Sequence, residues 1–252
     1  MFERTINEGE RRLERRWPEL LSTGVMGGID VSVGVFALLS VLARTNNEVL
    51  AAAFFGIGFI ALQLAGSELF TENFLVPIAA LVAGRSSPTR LVRLWLSAGL
   101  MNLLGGWVMT GIMMAGFPNL RPTAIRVAEH YIKMGISWQA FAGALLGGAV
   151  ITLMTWMENS SDSPFPRLVA AVAAAFLLAI GPLNHAIVVS LELFAALHAG
   201  APFGYADWLG VLGWATLGNL VGGLGLVTVL RLVQVGKDKI AAEQHRSYRR
   251  SR

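Results

Sequence analysis

Four stretches of this chain carry no Asp, Glu, Lys or Arg: residues 94–120, 134–157, 168–191 and 208–230. About 20 apolar residues rising ~1.5 Å each cross the ~30 Å hydrocarbon core of a bilayer, so each window is long enough for a membrane span. A further window over 20–43 is interrupted only by Asp30, and residues 49–84 hold apolar runs on both sides of Glu68 and Glu72. Six passages are therefore expected. Composition agrees, because 14% of the residues are charged where a soluble domain carries about 25%. The absence of Cys from the 252 residues excludes a disulfide scaffold and a cysteine-ligated metal centre.

Two passages do not read as simple helices. One straight helix over 49–84 would run roughly 54 Å, yet 74–84 alone is too short to cross. The consistent reading is a broken span whose middle, Gly66-Ser67-Glu68-Leu69-Phe70-Thr71-Glu72-Asn73, sets two carboxylates at membrane depth. Irregular backbone survives there only inside protein or along a watery cavity. The fifth passage breaks in the same way: 167–180 is apolar, Gly181-Pro182-Leu183-Asn184-His185 interrupts, and 186–197 resumes with Glu192 inside it. Proline removes a helix donor, so a stop near Ile180 is expected.

The breaks recur in corresponding halves. Gly24-Val25-Met26-Gly27-Gly28 returns as Ala144-Leu145-Leu146-Gly147-Gly148, and Asn102-Leu103-Leu104-Gly105-Gly106 returns as Asn219-Leu220-Val221-Gly222-Gly223. With three passages each, the halves (about 21–117 and 138–233) enter from opposite faces, as inverted repeats do. Matching interrupted segments in inverted halves point to a translocation site between them. Glycine pairs also let helices approach closely in membranes, which is the packing reading of the same motif.

Lys and Arg set the orientation. Arg44, Arg121, Arg126 and Lys133 fall on one side and the remaining sixteen of 20 on the other, which puts both termini in the cytoplasm. The head, residues 1–20, mixes acid and base at helical spacing and is expected to lie along the interface. It has no apolar core before a small-residue cleavage site, so no cleavable signal is expected. The basic tail, 236–252, is expected to meet anionic lipid rather than nucleic acid. The transmembrane region is then 21–235.

The loop Gly66-Ser67-Glu68-Leu69-Phe70-Thr71 in a broken second span, a histidine in a broken fifth span, and the three-plus-three halves together resemble the formate/nitrite transporter family over about 20–235. The resemblance implies an all-α, aquaporin-like integral membrane fold of six helices and a homopentamer with one pore per protomer. It also implies transport of small monovalent anions or their conjugate acids in a bacterial-type inner membrane. Position by position, Phe70 and Thr71 match the family's constriction loop, His185 its central pore histidine and Lys133 a basic residue of the outer vestibule. Leu69 and Asn184 flank these on the pathway. The chain departs from the pattern at Glu72, at Gly148, where the family has a supporting asparagine, and at Val189.

Read without the resemblance, His185 is the only histidine in an apolar window at a helix break, and a side chain that trades a proton near neutrality. Its bland alternative is a neutral histidine bonded to backbone. Glu68, with Gly66 and Gly181, is expected to hold the loops, Glu68 by accepting backbone N–H bonds. Asn102 and Asn219 suit interhelical glue better than pore donors. Glu72, Glu192 and Asp30 would repel an anion if they faced its path. The mechanism expected is proton-linked: Lys133 gathers a weak-acid anion and His185 lends it a hydrogen bond or a proton. No zinc-binding His-Glu-x-x-His, phosphate loop or nucleophile elbow occurs, so an enzyme, a metal site and a cofactor are not expected. A neutral-solute channel and a non-conducting membrane scaffold are the alternative functions.

Overall fold

The structure, a computed structural model, describes residues 2–250, and every regular element in them is helical. Helix α1 (Phe2–Glu14) buries Thr5, Ile6, Gly9 and Leu13, a stripe at helical spacing, with Arg12 turned inward beside it. Helix α2 (Trp17–Thr45) starts four residues before the expected boundary at 21, with Pro18 in its first turn where no donor is lost. Asn47 caps α3 (Glu48–Ala65) by accepting the Leu50 N–H at 3.0 Å. Gly66 then stops α3 in the left-handed region, φ 66°, which favours glycine. A 3₁₀ turn (Phe70–Phe74) and the short α4 (Val76–Val82) follow the break.

Helix α5 (Pro88–Gly116) follows, then α6 (Arg121–Met134) across the far face and α7 (Trp138–Glu158). Helix α8 (Pro164–Ile180) stops at Gly181, as proline and glycine require, and α9 (Ala186–His198) begins after the break. Next come α10 (Tyr205–Leu220), a π-helical stretch (Val221–Thr228) and α11 (Val229–Val235), which together make one helix over Tyr205–Val235. The widened turn falls where Gly222 meets α7: a Cβ there would stand 1.9 Å from the Leu145 carbonyl oxygen. Helix α12 (Lys237–Arg250) closes the described chain.

Five helices are long and apolar enough to cross a membrane: α2, α3, α5, α7 and Tyr205–Val235. The helices on either side of the second break, α8 and α9, are each shorter. Every residue of α9 from Ala186 to Ala196 is buried. A helix buried on all sides belongs at a centre, and α9 packs there against α2, α5, α6, α10 and the 3₁₀ turn.

Both described ends meet on one face. Arg85, after α4, donates to Glu10 of α1 and to Glu243 of α12, at 3.2 and 3.3 Å. Gln244 and Ser247 of α12 donate to the carbonyls of Val82 and Gly84, at 2.8 and 2.7 Å. The tail expected to meet lipid is thus a helix docked on the α4–α5 turn, because that turn leaves carbonyls with no helical partner.

Candidate functional site

The two breaks meet in the interior. His185 begins α9 as its N-cap: Nδ1 accepts the Val188 N–H at 3.3 Å, and Nε2 lies 2.6 Å from Thr71 Oγ1 in the other loop. If Nδ1 accepts, the proton of the neutral ring resides on Nε2 and is donated to Thr71. The threonine hydroxyl hydrogen is then left pointing to a further acceptor. Both residues are fully buried.

One asparagine secures each loop, and the two bonding patterns match atom for atom. Asn102 on α5 donates from Nδ2 to the carbonyls of Gly24 and Glu68, both at 2.7 Å, and accepts the Phe70 N–H at 2.8 Å. Asn219 on α10 donates to the carbonyls of Ala144 and Asn184, at 2.6 and 3.1 Å, and accepts the Ala186 N–H at 2.9 Å. Both are fully buried and sit where the interhelical role, not the pore-donor role, saturates their amides.

The remaining pathway residues divide. Phe70 is half-buried, with its ring 5.2 Å from that of Phe74, whereas Leu69 is buried and its carbonyl accepts from Glu72 N–H at 3.1 Å. Asn184 is buried, and its Oδ1 has no partner among the described residues. Gly148 faces Asn219: a Cβ there would stand 2.2 Å from the Asn219 carbonyl oxygen, so no larger side chain fits. Gly147 is the position beside His185, its Cβ site 3.5 Å from the His185 nitrogen. Val189 packs toward Tyr131 and Leu193, away from a polar role.

Glu68 supports its loop differently from the expectation. Its carboxylate takes guanidinium groups, Arg12 at 3.0 Å and Arg15, and accepts no backbone N–H among the described residues, because charged forks outcompete neutral donors for a buried carboxylate. Arg12 also reaches Glu72 and Asn73, at 3.3 and 3.2 Å. Burial alone would lower the Arg12 pKa; the carboxylates of Glu72 and Glu8 outweigh it and hold the group above its ordinary value. Glu72, which would repel an anion, is therefore countered. Asp30 accepts the Ser67 hydroxyl at 2.6 Å and so joins α2 to the same loop. The arginines were not legible as site residues; their only signal was the acid–base alternation of the head.

On the face opposite the termini a cavity of about 300 Å³ opens between α2, α3, α6, α8 and α9. Arg126, His130, Tyr131 and Glu192 are on its wall. Lys133 is not: it is 74% exposed and paired with Glu129 at 2.6 Å. Its ammonium is held by Glu129, one turn back on α6, and is turned to solvent. Among the described residues no group of His, Asp and Glu is arranged to hold a metal.

The formate/nitrite transporter family model matches residues 1–233. The chain belongs to the formate/nitrite transporter family. It is similar to the inner membrane protein YfdC of Escherichia coli, 26% identical over 94% of this chain and 79% of that protein. It is similar to the uncharacterized transporter YrhG of Bacillus subtilis, 26% identical over 93% of this chain and 92% of that protein. A solved FNT family ion channel shares its fold with a TM-score of 0.83 at 18% identity, covering 92% of this chain and 98% of that one. A pentameric formate channel with formate bound shares it with a TM-score of 0.75 at 22% identity, covering 88% and 98%. This member is thus an all-helical, multi-pass membrane protein of a family of channels and transporters, not of enzymes.

Proposed function

We propose that this family member conducts small monovalent weak-acid anions, formate and nitrite among them, together with a proton. The observation that carries the reading is the Thr71–His185 bond, which joins the two broken loops at a buried point where two asparagines hold both backbones rigid. An ion crossing an apolar constriction loses its hydration, whereas the neutral acid does not carry that cost. Arg126 and, beyond it, Lys133 collect the anion at the outer face, an attraction that salt screens. Phe70 and Leu69 narrow the path. At the centre, the Thr71 hydroxyl donates to the anion while His185 supplies hydrogen-bonding capacity through Nε2.

In this reading the chain makes six passages in two inverted halves, supported by the paired asparagine patterns and the two breaks. Five copies associate, as in the solved pentameric formate channel, and in this reading each copy has its own pore. Both termini lie in the cytoplasm and the protein in a bacterial inner membrane, supported by the Lys and Arg bias and by the location of YfdC. No cofactor or nucleic acid takes part; lipid surrounds the assembly.

The test is uptake by proteoliposomes of formate, nitrite, lactate and hydrosulfide, each with and without an inward proton gradient, with glycerol as a neutral control. Proton-stimulated anion uptake without glycerol uptake supports the reading. Glycerol uptake alone makes the protein a neutral-solute channel, and silence across the panel leaves a non-conducting scaffold.

A further inference from the structure

Helix α5 begins with two arginines that the conduction path does not use. Arg93 is the last charged residue before the charge-free window 94–120, so it stands where the chain enters hydrocarbon, on the face where both described ends meet. Its guanidinium is held in place: Nη2 donates to the carbonyls of Leu13 and Arg15, at 2.7 and 3.0 Å, and the group lies 5.5 Å from the centre of the Trp17 ring. Trp17 is exposed, as an aromatic at headgroup level is. Arg90, one turn earlier, reaches Glu14 at 3.4 Å, a long contact between exposed groups that contributes little. Leu13, Glu14, Arg90 and Arg93 line a hollow of about 270 Å³ between the end of α1 and the start of α5. A water takes about 30 Å³, so a phosphodiester headgroup has room there.

The apolar stripe of α5 starts at this hollow. Arg90, Arg93, Leu96, Leu100 and Leu104 recur at spacings of three and four residues, which sets them on one face of the helix, and the three leucines are exposed. From Arg93 to Leu104 the helix rises ~16 Å, the depth of one leaflet of a ~30 Å hydrocarbon core. The face therefore presents cations at headgroup level and apolar side chains over the length of an acyl chain; a soluble anion matches only the first. Charge narrows the choice further. Two guanidinium groups and one carboxylate leave the hollow with one positive charge, which a monoanionic phosphodiester neutralises and a zwitterionic headgroup does not. We propose that Arg90 and Arg93 form a headgroup site for an anionic phospholipid, whose phosphate takes both guanidinium groups and whose acyl chain lies along Leu96, Leu100 and Leu104. Because Arg93 also holds the last carbonyls of α1, the bound lipid fastens α1 to α5.

The experiment titrates the full chain, purified in detergent and stripped of lipid, with phosphatidylglycerol, phosphatidylethanolamine or glycerol 3-phosphate, and counts bound molecules by native mass spectrometry. Phosphatidylglycerol is expected to bind more tightly than phosphatidylethanolamine, and R90Q to weaken it roughly fivefold, the effect of one arginine near an anionic headgroup. E14Q removes the opposing carboxylate and is expected to strengthen phosphatidylglycerol binding by a similar factor. Both substitutions fall on exposed side chains, which keeps the fold intact. Phosphatidylglycerol affinity that R90Q leaves unchanged overturns the proposal. Tighter binding of phosphatidylethanolamine, lost in E14Q, would make Glu14 an ammonium acceptor and also overturn it. Glycerol 3-phosphate that displaces phosphatidylglycerol at equal concentration would make the hollow a site for a soluble phosphate. Leu100→Ser is expected to weaken lipid binding; if it splits the assembly and leaves lipid affinity unchanged, the stripe is a contact between copies and the proposal falls. None of these readouts involves transport, so the proposal stands or falls apart from the conduction reading.

Discussion

His185 carries two duties through its two ring nitrogens. Nδ1 closes the first turn of α9, which any residue with a short acceptor side chain can do, while Nε2 alone reaches Thr71 across the break. His185→Asn retains the cap and loses the titratable ring. Its formate uptake is expected to lose the proton-stimulated component, roughly tenfold or more, with the protein still folded; stopped-flow uptake at outside pH 5.5 and 7.5 checks this, and an unchanged ratio refutes the proton role. Arg12 is the other residue whose loss should be plain. Arg12→Gln leaves Glu72 buried without its guanidinium and is expected to cost about 3–5 kcal/mol, with part recovered in the double variant that also carries Glu72→Gln. Thermal unfolding in detergent measures both. At this scale the sequence was half legible: His185 stood out because a histidine at a helix break in an apolar window has few other uses. Arg12 and Arg15 did not, since nothing in a mixed-charge head says which loop it will fold against.

Among the elements, the two broken passages depend on Asn102 and Asn219. Replacing either with Leu strands one N–H and one loop carbonyl in the interior, at about 1–3 kcal/mol for each group left unsatisfied. The matching bond sets lead us to expect similar losses for Asn102→Leu and Asn219→Leu, each at least several degrees in Tm by scanning fluorimetry; a large loss in one alone would break the equivalence. Helix α1 responds to acid. Burial raises the Glu8 pKa, but hydrogen bonds from Arg11 and the charge of Arg12 more than offset it and bring it down to about 2 from 4.5. A depressed carboxylate contributes stability that is complete above about pH 4.5 and is lost as pH falls toward about 2. The Glu8→Gln variant is therefore expected to be less stable than the wild type by about 1–3 kcal/mol at pH 7, with the gap closing below pH 4.5. Unfolding midpoints between pH 3 and 7 check it. The breaks themselves were readable, because proline, glycine and paired carboxylates cannot continue an apolar helix. The near-full length of α3 before its break was less so: apolar residues alone do not say where within 49–66 a helix ends, and Gly66 decides it by taking φ 66°.

For the whole molecule, α5 leaves Leu96, Leu100, Leu104, Val108 and Ile112 exposed along one stripe. A soluble protein could not display it; lipid or a neighbouring copy covers it. The protein in detergent is expected to have a protein mass about five times 27.0 kDa by light scattering, and a mass of one copy would refute the pentamer. What the sequence alone determined was the solvent: four charge-free windows admit only a membrane, while two like-spaced breaks and two Asn-Leu-x-Gly-Gly segments support the paired halves proposed above. Those signals are local, carried by runs of residues that share one environment. Only the tertiary structure decided which charges meet. It turned the head into a counter-charge for Glu68 and Glu72, seated the tail on the α4–α5 turn, took Lys133 off the cavity wall and put Glu192 on it. Electrostatic partners are chosen by distances across the fold, over separations such as the 60 residues from Arg12 to Glu72, and no periodicity along the chain encodes them.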